Sequence, residues 1–376
     1  MLSAMVSDEQ KKIYMLSALR LAKKALDKTY PNPMVGAVIV KNGKIIGKGY
    51  HVKAGANHAE VAAIKSAGNN CRSSEMFVTL EPCAHYGKTP PCVNAVIESG
   101  IKKVFIAMKD PNPIVSGRGI KILKNAGIEV ETGICEDLAC QLNAKYIKFI
   151  TDKMPYVTGK IAESLDGKTS ARDKSSKWIT DKKTRELSKK SRALFDAILV
   201  GINTVLKDNP TLLPLDAKKI NNRYIFRRVI VDSKARISLD SNLVKSAGIS
   251  PIIIATTDLA PLARSRKISS LAGVEILKFK NKNGRVPLKE LLKKLAEMGM
   301  VNILAEGGAE LLGSLVDERL IDEWMIYIAP KIIGGRDSAV KGLGVQNIHS
   351  AINLTDIKIK KIGNDFLIQG KTCLPA

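Results

Sequence analysis

Cysteine, acidic charge and long apolar runs are all scarce in this 376-residue chain, and each shortage excludes something. Six cysteines over this length are too few for a disulfide scaffold, so a reducing cytoplasm is expected. No run of about 18 apolar residues occurs, so neither a membrane span nor a membrane partner is expected. Residues 1–9 lack the basic stretch and apolar core of a secretory signal. There is no internal repeat, no low-complexity tract and no G-x-G-x-x-G, which sets aside solenoids and a Rossmann dinucleotide site. What remains is 45% apolar and 26% charged, ordinary for a soluble globular protein, and long enough for two domains.

Basic residues outnumber acidic ones by 60 to 36, a net charge of +24. Residues 1–150 hold 21 basic against 12 acidic residues (+9), and the remainder 39 against 24 (+15). The excess is thus spread over both halves rather than gathered in a tail. A field of this sign attracts polyanions, and it suits nucleic acid or phosphorylated small molecules equally. Most of the lysines are scattered singly over expected helices, the pattern of a solvated surface.

Chemistry is concentrated between His58 and Cys92. His58-Ala59-Glu60 is followed by a strand-like stretch, then Glu81-Pro82-Cys83 and Pro90-Pro91-Cys92. H-x-E with P-C-x-x-C is the pattern of zinc-dependent base deaminases, in which the glutamate moves protons and is not a ligand. Here the second gap is wider, C-x8-C. Catalytic zinc takes three protein ligands and leaves a position for water, whose pKa it lowers. His58, Cys83 and Cys92 supply three, and Glu60 is left as acid and base. A structural zinc site closes with four ligands. The only nearby fourth is His85, which stays unassigned.

The remaining pattern is α/β. A capping box at Ser7 opens a helix to about Lys28, with Ile13, Leu16, Leu19, Ala22 and Leu26 expected on its apolar stripe. Asn42-Gly43 marks a hairpin between strands at 35–40 and 45–49. Helices are expected at 58–67, from Pro90, at 119–126 and at 136–148, with strands at 76–80, 103–107 and 128–130. A boundary falls near Thr151–Pro155, giving domains 1–150 and 151–376. The second half opens with a strand to Ala162 and a helix that Thr180 can cap. It later places Glu306-Gly307-Gly308 between a strand and a helix, where free N–H groups can cradle a phosphate.

Several segments closely resemble the bacterial bifunctional riboflavin-biosynthesis deaminase/reductase family. They are Pro31-Asn32-Pro33-Met34-Val35-Gly36, Gly49-Tyr50-His51, the zinc words above, Asp110-Pro111-Asn112-Pro113 and Gly117-Arg118-Gly119. In the second half the resemblance runs through Ser164–Gly167, Trp178-Ile179-Thr180, Thr204–Pro210, Val231-Asp232-Ser233, Glu306–Gly308 and Tyr327–Pro330. It implies a cytidine-deaminase-like three-layer sandwich followed by a dihydrofolate-reductase-like domain. It implies one zinc per deaminase domain, NADPH in the reductase domain, and small phosphorylated pyrimidines as substrates. The first half would deaminate 2,5-diamino-6-(5-phosphoribosylamino)pyrimidin-4(3H)-one. The second would reduce the ribosyl group of 5-amino-6-(5-phosphoribosylamino)uracil to ribityl.

By that resemblance Asn32, His51 and Lys88 would line the deaminase substrate pocket. Ala162, Trp178, Thr204, Asp208 and Ser233 would contact NADPH, as would the run Gly308, Ala309, Glu310, Leu311, Leu312, Gly313 and Ser314. Ser176, Arg192, Leu212 and Glu306 would meet the sugar substrate, with Arg192 able to clamp a phosphate through two parallel hydrogen bonds. Lys160, Asp208 and Glu306 are candidate acids or orienting groups for the reduction, and the sequence does not choose among them. The family often has an arginine shortly after the turn at Pro210, where this chain reads Leu212-Leu213-Pro214-Leu215. That contact is either lost or supplied from elsewhere, such as Lys218 or Lys219. A homo-oligomer is expected, and nucleic acid is not: the wide cysteine gap and the reductase-like half argue against an RNA deaminase.

Overall fold

The computed structural model describes residues 7–26, 29, 31–85, 90–113, 115–173, 175–215 and 226–373. Two compact units result, Met1–Lys153 and Met154–Ala376. In the described residues no helix is long and apolar enough to cross a membrane.

The first unit is built on a five-stranded sheet ordered β2-β1-β3-β4-β5: β1 (Gly36–Lys41), β2 (Lys44–Tyr50), β3 (Glu75–Leu80), β4 (Lys103–Met108) and β5 (Glu129–Thr132). The expected hairpin joins β1 to β2, with Asn42 at a left-handed φ of 49°. Helix α1 (Asp8–Lys23) is capped by Ser7, whose side chain accepts from Gln10 N–H. Its buried face is the expected one only at Leu19 and Ala22. Tyr14, Met15, Ala18, Leu19 and Ala22 are buried, whereas Ile13, Leu16 and Leu26 are exposed. The small residues decide this, because a Cβ on Gly36 would lie 2.1 Å from the Ala18 carbonyl oxygen. Such close approach between helix and strand requires alanine on one side and glycine on the other.

Helices α2 (Ala59–Ala67), α3 (Cys92–Glu98) and α4 (Arg118–Asn125) follow the expected places. The single helix expected at 136–148 is instead two, α5 (Glu136–Leu142) and α6 (Ala144–Thr151). Asn143 breaks it. Its buried amide accepts from Met34 N–H at 2.8 Å and donates to the Met34 carbonyl at 3.0 Å, standing in for a strand neighbour. That pairing fixes the segment carrying Asn32.

The second unit carries a nine-stranded sheet ordered β10-β9-β8-β7-β11-β6-β12-β14-β13. Its strands are β6 (Tyr156–Ser164), β7 (Ala197–Gly201), β8 (Arg227–Val231), β9 (Ile252–Thr257), β10 (Val274–Phe279), β11 (Asn302–Glu306), β12 (Glu323–Ala329), β13 (Asn353–Ile362) and β14 (Asp365–Cys373). From β10 to β12 the neighbours are parallel, and β14 and β13 add an antiparallel edge. Helix α7 (Lys182–Ser191) is capped by Asp181, which accepts from Thr184 N–H, and not by Thr180. The ionised carboxylate is the stronger acceptor. Helices α8 (Ile202–Asp208), α9 (Asn242–Lys245), α10 (Leu262–Ser269), α11 (Leu288–Glu297) and α12 (Ala309–Asp317) complete the unit. The central strands are buried on both faces, as continuous Ile/Val/Leu runs such as Ile252-Ile253-Ile254 require.

Candidate functional site

In the first unit, three segments bring donors to one point. His58 is the N-cap of α2, in extended conformation (φ −70°, ψ 163°), rather than in the helix's first turn. Cys83 lies just beyond β3, and Cys92 is the first residue of α3. His58 Nδ1 is 3.1 Å from Cys92 Sγ and 3.5 Å from Cys83 Sγ, and one donor atom from each residue lies within 4.8 Å of the others. Tetrahedral zinc with bonds near 2.2 Å places its ligand atoms about 3.6 Å apart. The donor set and its spacing therefore fit zinc. The Cys92 N–H donates to Cys83 Sγ at 3.3 Å, so the start of α3 favours thiolate there.

Electrostatics point the same way. The Cys83 thiol is held well below its usual value by the hydrogen bond from Cys92, against burial, and then by His58. Cys92 is pushed up by that same bond, by burial and by the neighbouring charges. Glu60, 3% exposed, is pushed up to about 7 by burial and then by the charge on Cys83. Two sulfurs and a carboxylate crowded together in a buried spot suit a divalent, sulfur-preferring cation.

His51 and Asn32 stand beside this centre. The His51 ring packs edge-on to His58, with centroids 5.1 Å apart. His51 Nδ1 is 3.2 Å from the Asn57 carbonyl oxygen, which can only accept, so Nδ1 carries the proton. Nε2 then accepts from Asn32 Nδ2 at 3.2 Å. Among the described residues this leaves the Asn32 side-chain oxygen as the open end of its amide. Burial lowers the His51 pKa, consistent with a neutral ring. Lys88 lies outside the described residues, and His85 is exposed.

Sequence reasoning assigns Glu81 no role, yet it organises the loop behind Cys83. Its buried carboxylate accepts from the N–H groups of Asp110, Gly117 and Ile120 at 3.0–3.2 Å. The only signal for it is that Glu81, Asp110 and Gly117 belong to motif words quoted together. Their pairing needs the fold.

In the second unit a cavity of about 1750 Å³ opens over the carboxyl ends of the central strands. Small-molecule sites usually span roughly 300–1,000 Å³, so this space suits a cofactor and a substrate together. Ala162, Trp178, Thr204, Asp208 and Ser233 line it, as do Ser176, Arg192, Leu212 and Glu306. From the run at the start of α12, Gly308, Ala309, Glu310, Leu311, Leu312 and Ser314 line it too. Gly313 does not. It faces the Lys341–Gly342 backbone, where an added Cβ would sit 1.4 Å from the Lys341 carbonyl oxygen. Lys218 and Lys219 lie outside the described residues.

The turn before α12 needs its glycines. Gly307 and Gly308 have φ of 72° and 78°, and a Cβ on Gly308 would come within 3.0 Å of Thr204 Oγ1. Among the described residues no side chain caps α12, so its first N–H groups can serve a phosphate, which fits a dinucleotide cofactor.

At the cavity floor Glu306 and Lys160 are register partners on adjacent strands β11 and β6. Lys160 Nζ lies 3.2 Å from Glu306 Oε1 and 5.5 Å from the centre of the Tyr327 ring. Arg192 gives Nε and Nη2 to the two Glu306 oxygens at 2.8 and 2.9 Å, and Nη1 to the Leu213 carbonyl at 3.0 Å. Three of its five N–H groups are thus engaged, two of them by Glu306. Burial works to raise the Glu306 carboxyl, but the Lys160 and Arg192 charges outweigh it and hold it well below the usual carboxylate range.

Comparison with known proteins agrees in both units. Residues 8–108 match the cytidine and deoxycytidylate deaminase zinc-binding region, and residues 155–368 match the RibD C-terminal domain. The chain is 40% identical over 361 residues to the riboflavin biosynthesis protein RibD of Aquifex aeolicus, covering 95% of this chain and 97% of that protein. It is 36% identical to the RibD protein of Escherichia coli, covering 95% and 98%. Among solved structures, Acinetobacter baumannii RibD superposes with a TM-score of 0.83 at 35% identity, covering 98% of this chain and all of that one. The deaminase/reductase of Thermotoga maritima gives 0.78 at 33% identity, covering 97% and 99%. With both domain types present in order and nearly the full length matched, the chain belongs to the RibD family of riboflavin biosynthesis proteins.

Proposed function

We propose that the chain catalyses two consecutive steps of riboflavin biosynthesis, a hydrolytic deamination in residues 1–150 and a reduction in residues 151–376. The substrate is the diaminopyrimidinone carrying a phosphoribosylamino arm. Its ring amine leaves as ammonia, and the ribosyl group of the resulting uracil becomes ribityl. The observation that carries the reading is the meeting of His58 Nδ1, Cys83 Sγ and Cys92 Sγ beside a buried Glu60.

His58, Cys83 and Cys92 would hold zinc; the start of α12, with Thr204 and Ser233, would hold NADPH. When bound, zinc supplies a Lewis acid that activates water and NADPH supplies a hydride. The protein does the rest. Glu60 Oε carries one proton of the attacking water to the ring nitrogen and then the second, from the newly added hydroxyl, to the departing amine. Asn32, its amide oriented by His51, offers a carbonyl oxygen to an N–H of the pyrimidine. In the reductase half, Glu306 is held ionised and so orients Lys160 and Arg192 rather than donating a proton. That leaves Lys160 Nζ and Asp208 as the groups able to protonate the opening ribose oxygen. Small phosphorylated pyrimidines rather than nucleic acid, a cytoplasmic setting and a homo-oligomeric assembly complete the reading.

Replacing Glu60 by Gln tests the first step. Zinc content should stay at one per chain while ammonia release falls by a factor of about 10² to 10⁴. Undiminished ammonia release would remove Glu60 from the mechanism and the deaminase reading with it.

A further inference from the structure

Arg228 is a wholly buried cation on an apolar strand. It sits on β8 between its register partners, Ile198 of β7 and Ile252 of β9, and none of the three is more than 1% exposed. Among the described residues no carboxylate pairs with it. Burial pushes its guanidinium down to about 10, which leaves it charged near neutral pH. Its partners are uncharged groups from two other segments. Nη1 donates to the Thr211 carbonyl and to Ser246 Oγ, each at 2.7 Å, and Nη2 donates to the carbonyls of Ser246 and Ser250. Nε is buried with no partner among the described residues. A charge in such a place is a poor device for stability, since well-packed apolar side chains often replace buried ions with no loss. Its use lies in what it reaches.

Pro210, Thr211 and Leu212 line the reductase cavity. Their turn is strained. Asn209 and Leu212 have φ of 44° and 57°, left-handed values that a leucine keeps only where its surroundings impose them. Three side chains do so. Asn242 Nδ2 donates to the Asn209 carbonyl at 2.8 Å, Arg192 Nη1 to the Leu213 carbonyl at 3.0 Å, and Arg228 to the Thr211 carbonyl between them. We propose that Arg228 is a positioning residue for the reduction. From within the core it holds the turn at Thr211 in the conformation that meets the sugar substrate and, through the Leu213 carbonyl, steadies Arg192 on Glu306. The inference rests on the reductase reading above.

The test uses the full chain in two assays. First, without ligand, amide hydrogen exchange over residues 208–215 is followed by mass spectrometry. Arg228→Met keeps most of the volume and drops the donors, so exchange there should speed up ~10-fold or more while β6 and β11 keep their rates. Second, initial rates of NADPH oxidation are measured with the deaminated substrate. KM for that substrate should rise ~10- to 100-fold, the loss of one charge-assisted hydrogen bond. NADPH binding, titrated by its fluorescence, should hold to within about twofold. Arg228→Lys, which keeps the charge and can reach one carbonyl, should recover part of the loss. Ile254→Ala is the control, buried in the same hydrophobic cluster with no polar group to offer the turn. It should destabilise the unit and leave KM unchanged. Should Arg228→Met fail to fold, Asn242→Ala, at an exposed position tied to the same turn, should show the same changes at smaller size. Unchanged exchange over residues 208–215, or a KM that moves as far in Ile254→Ala as in Arg228→Met, would overturn the assignment. A wild type that oxidises no NADPH would sink the reductase reading and the role in reduction with it, while the exchange comparison would still decide whether Arg228 holds the turn.

Discussion

Glu306 shares its charge between Lys160 and Arg192, and this makes it the residue whose loss should be felt most in the second unit. Glu306→Gln leaves the buried Arg192 and the partly buried Lys160 facing a neutral amide, a change that costs up to about 3–5 kcal/mol, the figure for breaking a buried pair. The folded pKa of Glu306 is lowered, so its contribution is complete above the unfolded value, about 4.3, and fades as pH falls toward the folded one. The gap in melting temperature between wild type and variant should therefore be level from about pH 8 to 5 and narrow below about 4. A gap that widens in acid would contradict the assigned charge state. The trio also marks a limit of sequence reading. Its members are up to 146 residues apart, and only the adjacency of β6 and β11 makes Lys160 and Glu306 neighbours. The cluster of His58, Cys83 and Cys92 was legible because the helix start, the strand end and the proline-led helix each announce themselves locally.

At the scale of elements, the glycine turn before α12 and the Asn143 break carry testable weight. Gly308→Ala forces a left-handed φ on a side chain and crowds Thr204, a strain of about 1–3 kcal/mol. Because the turn supports the proposed cofactor phosphate site, KM for NADPH should rise while ammonia release is untouched. Loss of both activities in parallel would place the turn's role in general stability. Asn143→Ala strands the Met34 N–H and carbonyl, each left without its partner at about 1–3 kcal/mol. Ammonia release should become more heat-sensitive, with NADPH oxidation unaffected. Helix α1 shows why faces are harder to read than elements. Its cap and hairpin neighbours follow from local chemistry, but hydrophobicity picks Ile13 and Leu16 where packing against Gly36 demands Ala18 beside the expected Ala22. Short elements such as α8, α9 and α10 gave no periodic signal long enough to register.

For the whole molecule, two units with separate sheets and separate hydrophobic cores account for two chemistries in one chain. The expected boundary near 151–155 rested on a break between two differently punctuated α/β patterns, and the units divide after Lys153. Net charge was the least informative feature, since +24 fits a phosphate-handling enzyme and a nucleic-acid binder alike. Independence of the two sites is the central claim, and one assay addresses it directly. Purified protein is given the diaminopyrimidinone phosphate with and without NADPH, and ammonia and cofactor oxidation are followed together. Ammonia should appear in both samples, with NADPH consumed only after deamination has begun. Ammonia release that requires NADPH, or NADPH oxidation without prior ammonia, would contradict the account.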